Sequence, residues 1–291
     1  MQKSALSMSS RPFFPVTSVM VGVLAVMFSV FSTAAWSQDA APFRIGIAPH
    51  TSARVIIEQY QPVRRAVEAA VGQPVEIITA PDFTAFAQRA LEQDYDLAVT
   101  TGHQAQLLKS DAGYRPLLTY TADFRAVVVA ATGTPYKNAE SLRGAAVLGL
   151  NPSSLVTLWG QRWLKDMAVP DVQVRYVSAA DSVAQLVLSG EAAAGFMSLA
   201  NRHKLAPEMQ AKLTTIAESP AMAGRVYLLN ARKAALFDKI HDALLAFGAT
   251  AEGKTYFDTN ALGGYREISD AELATMEPLA DEVRRVLKAK P

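Results

Sequence analysis

The run Ala145-Ala146-Val147-Leu148-Gly149-Leu150 stops abruptly at Asn151-Pro152-Ser153-Ser154, and no other stretch limits the possible folds of this chain as much. Beyond it Leu155, Val156, Trp159, Trp163 and Leu164 recur at helical spacing, so a buried strand must feed directly into a helix. Asn or Ser can cap the first turn, and Pro is tolerated at its first position. The free N–H groups of such a turn point outward with a partial positive charge, which suits an anionic or strongly polar ligand. The plainer alternative is that Ser153 and Ser154 only cap a structural helix.

The same unit recurs along the chain. A strand over 43–48 ends at the small polar loop Pro49-His50-Thr51-Ser52, and Pro62 starts a helix with Val63, Val67, Ala70 and Val71 on one face, stopped by Gly72. A strand over 75–78 follows. Asp82 then caps a helix with Phe83, Phe86 and Ala90 inward, and a third strand over 95–99 ends in Thr100-Thr101-Gly102-His103. Strand, helix, strand, helix, strand is a parallel α/β pattern. Two β-branched runs, 117–120 and 125–131, lead into a second segment of the same kind. It holds a helical turn at 139–143, the strand and helix around residue 151, a strand at 172–177, and a helix capped by Ser178 with Asp181 three residues on. Strands at 192–197 and 213–218 complete it, and a run at 224–230 returns the chain to the first segment. The remainder reads as helices at 234–247 and 251–258, then a final helix capped by Ser269, with Leu273, Met276, Leu279, Val283 and Val286 as its buried stripe.

Residues 1–37 have the form of a secretory signal: Lys3 and Arg11 at the start, an apolar stretch over 16–31, and Ala35-Trp36-Ser37 before a cut at Gln38. An uncleaved membrane anchor is the alternative. Removing Lys3 and Arg11 from the 28 basic residues leaves 26 against 27 acidic ones, which does not favour a nucleic-acid partner. The chain has no cysteine, so an exported protein of this sequence has no disulfide framework and must be held by its core.

The pieces Phe43-Arg44-Ile45-Gly46-Ile47-Ala48-Pro49, Ala80-Pro81-Asp82-Phe83, Tyr95-Asp96-Leu97-Ala98, Ala112-Gly113-Tyr114-Arg115-Pro116-Leu117, Ser141-Leu142-Arg143-Gly144 and Asn151-Pro152-Ser153-Ser154 follow one another in a set order and spacing. Together they resemble the phosphonate/phosphite-type solute-binding proteins of bacterial ABC importers, within the type II periplasmic binding fold. The resemblance implies a two-lobed α/β protein, each lobe a mainly parallel sheet flanked by helices, joined by two hinge strands. The expected lobes are 38–131 plus 225–291, and 132–224. It further implies a periplasmic protein that closes on a small polar or anionic solute and hands it to an ABC permease, or alternatively to a membrane sensor kinase. No cofactor and a monomer are expected. Leu155 and Val156 stand where the family's turn usually continues with hydroxyls, Phe83 replaces a frequent Tyr, and Ala180 lies near a frequent His. These departures leave a phosphonate-, phosphate- or phosphite-like class rather than one named solute.

Ligands of open α/β sheets bind beyond the carboxyl ends of the strands. The residues expected there are His50, Thr51, Phe83, Thr101, His103, Asn151, Ser153, Ser154 and Asp181. Phe83 can equally be core, Asp181 can complete a cap, and His50 and His103 can be rim residues. A different class is a His-based metal protein or metallo-hydrolase using His50 and His103. The chain lacks His-Glu-x-x-His, a Gly-x-Ser-x-Gly elbow, a Walker loop and a dinucleotide fingerprint, which weighs against an enzyme.

Overall fold

Short apolar strands alternate with amphipathic helices because a strand buried on both faces needs a helix on either side. The computed structural model describes residues 41–289, so the signal expected over 1–37 lies outside the described residues. The first half runs β1 (Phe43–Ile47), α1 (Ala53–Gln59), α2 (Gln61–Val71), β2 (Val75–Thr79), α3 (Phe83–Leu91), β3 (Leu97–Thr101), α4 (Gly102–Ala112) and β4 (Arg115–Tyr120). The second part holds β5 (Ala126–Ala131), β6 (Ala146–Gly149), α5 (Leu155–Asp166), β7 (Gln173–Tyr176), α6 (Ala180–Leu188), β8 (Ala194–Ser198), α7 (Leu199–Lys204), α8 (Pro207–Ala211) and β9 (Leu213–Glu218). The chain then returns through β10 (Arg225–Leu229) to α9 (Phe237–Ala249), α10 (Ala251–Asn260), β11 (Tyr265–Arg266), α11 (Asp270–Ala274) and α12 (Glu277–Ala289).

Two sheets result, in the orders β11-β4-β10-β3-β1-β2 and β7-β6-β8-β5-β9. The molecule is therefore two-lobed and α/β. In the first sheet β1 is parallel to β2 and β3, while β10 lies antiparallel between β3 and β4. In the second, β6 is parallel to β7 and β8, while β5 lies antiparallel between β8 and β9. Each inserted strand is the one that has just crossed over from the other lobe, which is why it runs against its neighbours. Phe124 and Met222, one in each crossing, form an isolated antiparallel bridge in which the Met222 amide donates to the Phe124 carbonyl at 2.9 Å.

Several expectations are corrected here. Residues 126–131, assigned to the first lobe, belong to the second sheet, so the outward crossing lies at 121–125 rather than after residue 131. The polar loop at 49–52 is only the lead-in to α1, where Ser52 accepts from the Val55 amide. Ser178 does not cap α6; the extended Ala179 does, without a side-chain bond. The final helix is two helices, α11 and α12, with the buried Met276 between them. Glu272, three residues past the Ser269 cap, accepts from Arg266 through both carboxylate oxygens.

Each sheet buries apolar residues on both faces. Ile45, Ile47, Val99, Tyr227 and Leu229 look toward α1, α2 and α9, and Ala98, Val226 and Leu228 toward α3, α4 and α12. That second cluster also takes in Leu155 and Leu158 of α5, so the first turns of a second-lobe helix are buried against the first lobe. Burying two leucines contributes roughly 1.5–3 kcal/mol each.

The returning crossing is seated on Gly102, whose amide donates to the Ala223 carbonyl at 3.2 Å. A β-carbon at Gly102 would stand 2.6 Å from that of Ala223 and 2.7 Å from its carbonyl oxygen. Replacing Gly102→Val is therefore expected to lower stability by about 1–3 kcal/mol through overpacking. A fall in the urea midpoint reads this out, and an unchanged midpoint would mean that the crossing moves aside freely.

Candidate functional site

The strands β1, β2, β3, β6, β7 and β8 end in short turns that open helices, and the starts of α3, α4 and α5 meet one another between the two lobes. The turn after β6 is shaped by Asn151, whose Oδ1 accepts from the Ser153 amide at 2.8 Å while its carbonyl accepts from the Ser154 amide at 2.9 Å. Pro152 lies inside this turn, ahead of the helix. Ser154 is the cap of α5: its Oγ accepts from the Thr157 amide at 3.4 Å and donates to Thr157 Oγ1 at 2.9 Å. Ser154 is thus occupied in holding its own helix, whereas Ser153 faces the first lobe.

Ser153 is met there by α3 and α4. Thr84 Oγ1 donates to Asn151 Oδ1 at 3.2 Å, which leaves Ser153 Oγ to donate to Thr84 at 2.8 Å. His103 reaches the Ser153 carbonyl through Nε2 at 3.0 Å, and its Nδ1 lies 3.2 Å from Thr101 Oγ1. A carbonyl only accepts, so His103 carries its proton on Nε2 and receives the Thr101 hydroxyl at Nδ1. Gln104 extends the seam: it accepts from Thr100 at 2.8 Å and donates to the Phe83 carbonyl at 2.9 Å. Thr84, Thr100, Thr101, His103, Gln104, Ser153 and Ser154 are all buried. Thr101, His103, Asn151 and Ser153 therefore come together as one polar seam between the lobes.

The other expected residues stand apart from it. Phe83 begins α3 half-buried and packs on the core with its ring. Thr51 is exposed, and so is Asp181, in the first turn of α6. His50 lies at the end of β1, where Nδ1 meets the Ala48 carbonyl at 3.0 Å and the ring meets Tyr60 edge-on at 6.0 Å between centroids. Its Nε2 is sealed from solvent without a hydrogen-bond partner.

Burial pushes the His103 imidazole down to about 4, against the opposing pull of the Ser153 carbonyl. Burial, helped by the positive charge of Arg225, pushes His50 down to about 3, with the Ala48 carbonyl opposing. Both rings are neutral at physiological pH. For the metal reading, both nitrogens of His103 are already engaged, and among the described residues no group of three His, Asp or Glu side chains is arranged to hold a metal ion.

Sequence reasoning overlooked Thr84, Gln104, Arg225 and Tyr60. Thr84 and Gln104 each adjoin a named candidate at a helix start, so that helix start was the available signal. Arg225 and Tyr60 had no local signal, because they meet only across the first lobe, 165 residues apart in sequence.

The sequence model of a family described as "ABC transporter, phosphonate, periplasmic substrate-binding protein" matches residues 45–273. No curated protein matches the chain in sequence. Among solved structures, XAC2383 from Xanthomonas citri bound to chloride ion superposes with a TM-score of 0.73 at 18% identity, covering 86% of this chain and 100% of that one. PhnD1 from Prochlorococcus marinus in complex with methylphosphonate gives a TM-score of 0.72 at 13% identity, covering 84% and 98%. The periplasmic aliphatic sulphonate binding protein SsuA from Escherichia coli gives 0.58 at 14% identity, covering 87% and 94%. At these identities the superpositions establish the fold.

The depressed His103 has a measurable consequence. As pH falls from 6.5 to about 4, the unfolded chain takes a proton on this residue and the folded chain does not. Stability is therefore lost on acidification in that window, by up to about 1.4 kcal/mol per pH unit from this one group. Urea titrations across the window should give a shallower pH slope for His103→Gln than for the wild type. Parallel slopes would mean that the imidazole is not held neutral by the fold.

Proposed function

The chain belongs to the ABC-transporter family of periplasmic phosphonate substrate-binding proteins, and on that premise we propose that it captures a small anionic solute between its two lobes for delivery to a membrane permease. The observation that carries this reading is the seam itself, where helix starts from both lobes aim hydroxyls, amides and a neutral imidazole at one another. Such groups offer an oxyanion several uncharged donors in a buried setting. The relatives' own ligands are in keeping with it: chloride for XAC2383, methylphosphonate for PhnD1, aliphatic sulphonates for SsuA.

Capture requires the seam to part. The two contacts of Ser153 with Thr84 and His103 are neutral hydrogen bonds worth about 1 kcal/mol each net. Together with the leucine contact of α5, opening costs at most about 5–8 kcal/mol, which a micromolar solute can offset, since it supplies about 8 kcal/mol. The two crossings at 121–125 and 219–224, tied by the Phe124–Met222 bridge, are the natural place for the bend. Export through cleavage after residue 37 completes this reading.

A thermal-shift panel of phosphate, phosphite, methylphosphonate, sulfate, methanesulfonate and neutral sugars tests it. A cognate anion at a hundred times its Kd should stabilise by about 2.7 kcal/mol, or a few degrees in Tm, with no response to sugars. A panel in which sugars shift Tm and no anion does would overturn the assignment.

A further inference from the structure

The turn between α10 and β11 serves two neighbours at once. Gly263 and Gly264 stand at φ 73° and 124°, a pair of backbone states that glycine adopts without strain. One side of this turn grips the outward crossing: the Thr121 amide donates to the Gly264 carbonyl at 2.9 Å, and the Ala122 amide to the Leu262 carbonyl at 3.1 Å. A β-carbon on Gly263 would stand 2.4 Å from Thr121 Oγ1, so the grip leaves no slack. The same two glycines line an open cavity of about 480 Å³, walled further by α9, α10 and Tyr265. That volume lies within the range of small-molecule sites, roughly 300–1,000 Å³.

The cavity joins an apolar floor to a charged rim. Gly248, in the last turn of α9, has no positive φ to require glycine, and glycine inside a helix costs about 0.5–1 kcal/mol against alanine. What its missing side chain leaves is room, since a β-carbon there would lie 3.3 Å from Cε2 of Phe257 and 3.5 Å from Cδ2 of Tyr265. Those two rings meet edge to face at 4.9 Å between centroids and border the cavity beside the exposed Leu245. On the rim, Lys254 and Asp258 share one face of α10 with Phe257. Lysine ahead of the acid is the weaker order for a helical pair. Among the described residues neither charge forms an ion pair, whereas Glu252 of the same helix binds Arg65.

We propose that this cavity is a second binding site, for a small aromatic zwitterion of the amino-acid kind, and that its occupant braces the outward crossing. Lys254 meets the ligand carboxylate, Asp258 meets its ammonium, and its ring covers Leu245 and the borders of Phe257 and Tyr265. The Gly263–Gly264 turn is both a wall of the cavity and the grip on Thr121 and Ala122, so a ligand packed against it holds the crossing more firmly. The site shares no residue with the polar seam, and the inference stands whether or not the seam binds an anion.

Calorimetric titration of the full chain at low salt with phenylalanine, phenethylamine, phenylacetate and alanine tests the site. Phenylalanine should bind best. Phenethylamine lacks the carboxylate and phenylacetate the ammonium, so each should be weaker by about three- to fivefold, the scale of one exposed ion pair. Alanine lacks the ring and should be weaker by at least about tenfold. Lys254→Met should weaken phenylalanine by that same three- to fivefold and leave phenethylamine unchanged, because the partner of Lys254 is already missing from it. Asp258→Asn should likewise weaken phenylalanine and spare phenylacetate. Both residues are exposed, so the variants fold as the wild type does. Gly248→Leu fills the cavity and should abolish binding, with circular dichroism as its control. Saturating phenylalanine should slow amide exchange at Thr121 and Ala122 by about threefold or more. A wild type that binds phenylalanine no better than alanine, or unchanged phenylalanine affinity in both rim variants, overturns the site. Binding that leaves the two amides exchanging at their free rate overturns the bracing. Either failure leaves the response to anions as it was, and a failed anion panel leaves this site standing.

Discussion

Each lobe is completed by a strand that arrives from the other, and this exchange is the constraint on which the molecule depends. β5 is wedged between β8 and β9, and β10 between β3 and β4, both against the local strand direction. Neither sheet closes its hydrogen-bond ladder until the chain has crossed. The crossings are consequently short, antiparallel and pinned at Phe124 and Met222, two side chains that pack against cores on both sides. That geometry sets the strand ends of one lobe opposite those of the other, and with them the helix starts.

What gathers at those ends is a chain of small polar residues that satisfy one another. Buried hydroxyls and amides are costly without partners, and the seam from Thr100 through Gln104, Thr84, Ser153 and His103 to Thr101 leaves none of these side chains alone. Neutral partners hold the lobes together without a buried ion pair, whose separation would be far more costly. The charge in the region sits instead to one side, on Arg225, which bonds the Tyr60 hydroxyl.

Much of the local structure was legible from residue order. Asp82 caps α3, Gly72 ends α2 with a positive φ of 73°, and Ser269 caps α11. Where the reading failed, a tertiary contact had overridden a local signal. Ser154, expected at the ligand site or as a cap, does cap α5, with Thr157 within reach of its hydroxyl. His103 looked like a loop residue and is in the first turn of a buried helix, because its two nitrogens find partners in Thr101 and in the other lobe. Residues 126–131 are as β-branched as any strand of the first lobe, and nothing in them tells which sheet they join.

The sequence by itself determined the α/β class, the capped helix starts and the family, since periodicity, capping and spacing act over a few residues and leave their trace in residue order. Only the tertiary structure decided which of those starts face each other and that Arg225 meets a tyrosine hydroxyl. Thr84 meets Ser153 across 69 residues of chain, His103 meets it across 50, and Arg225 meets Tyr60 across 165. Contacts at that range are set by how the two sheets exchange strands, and no local pattern of residues encodes them.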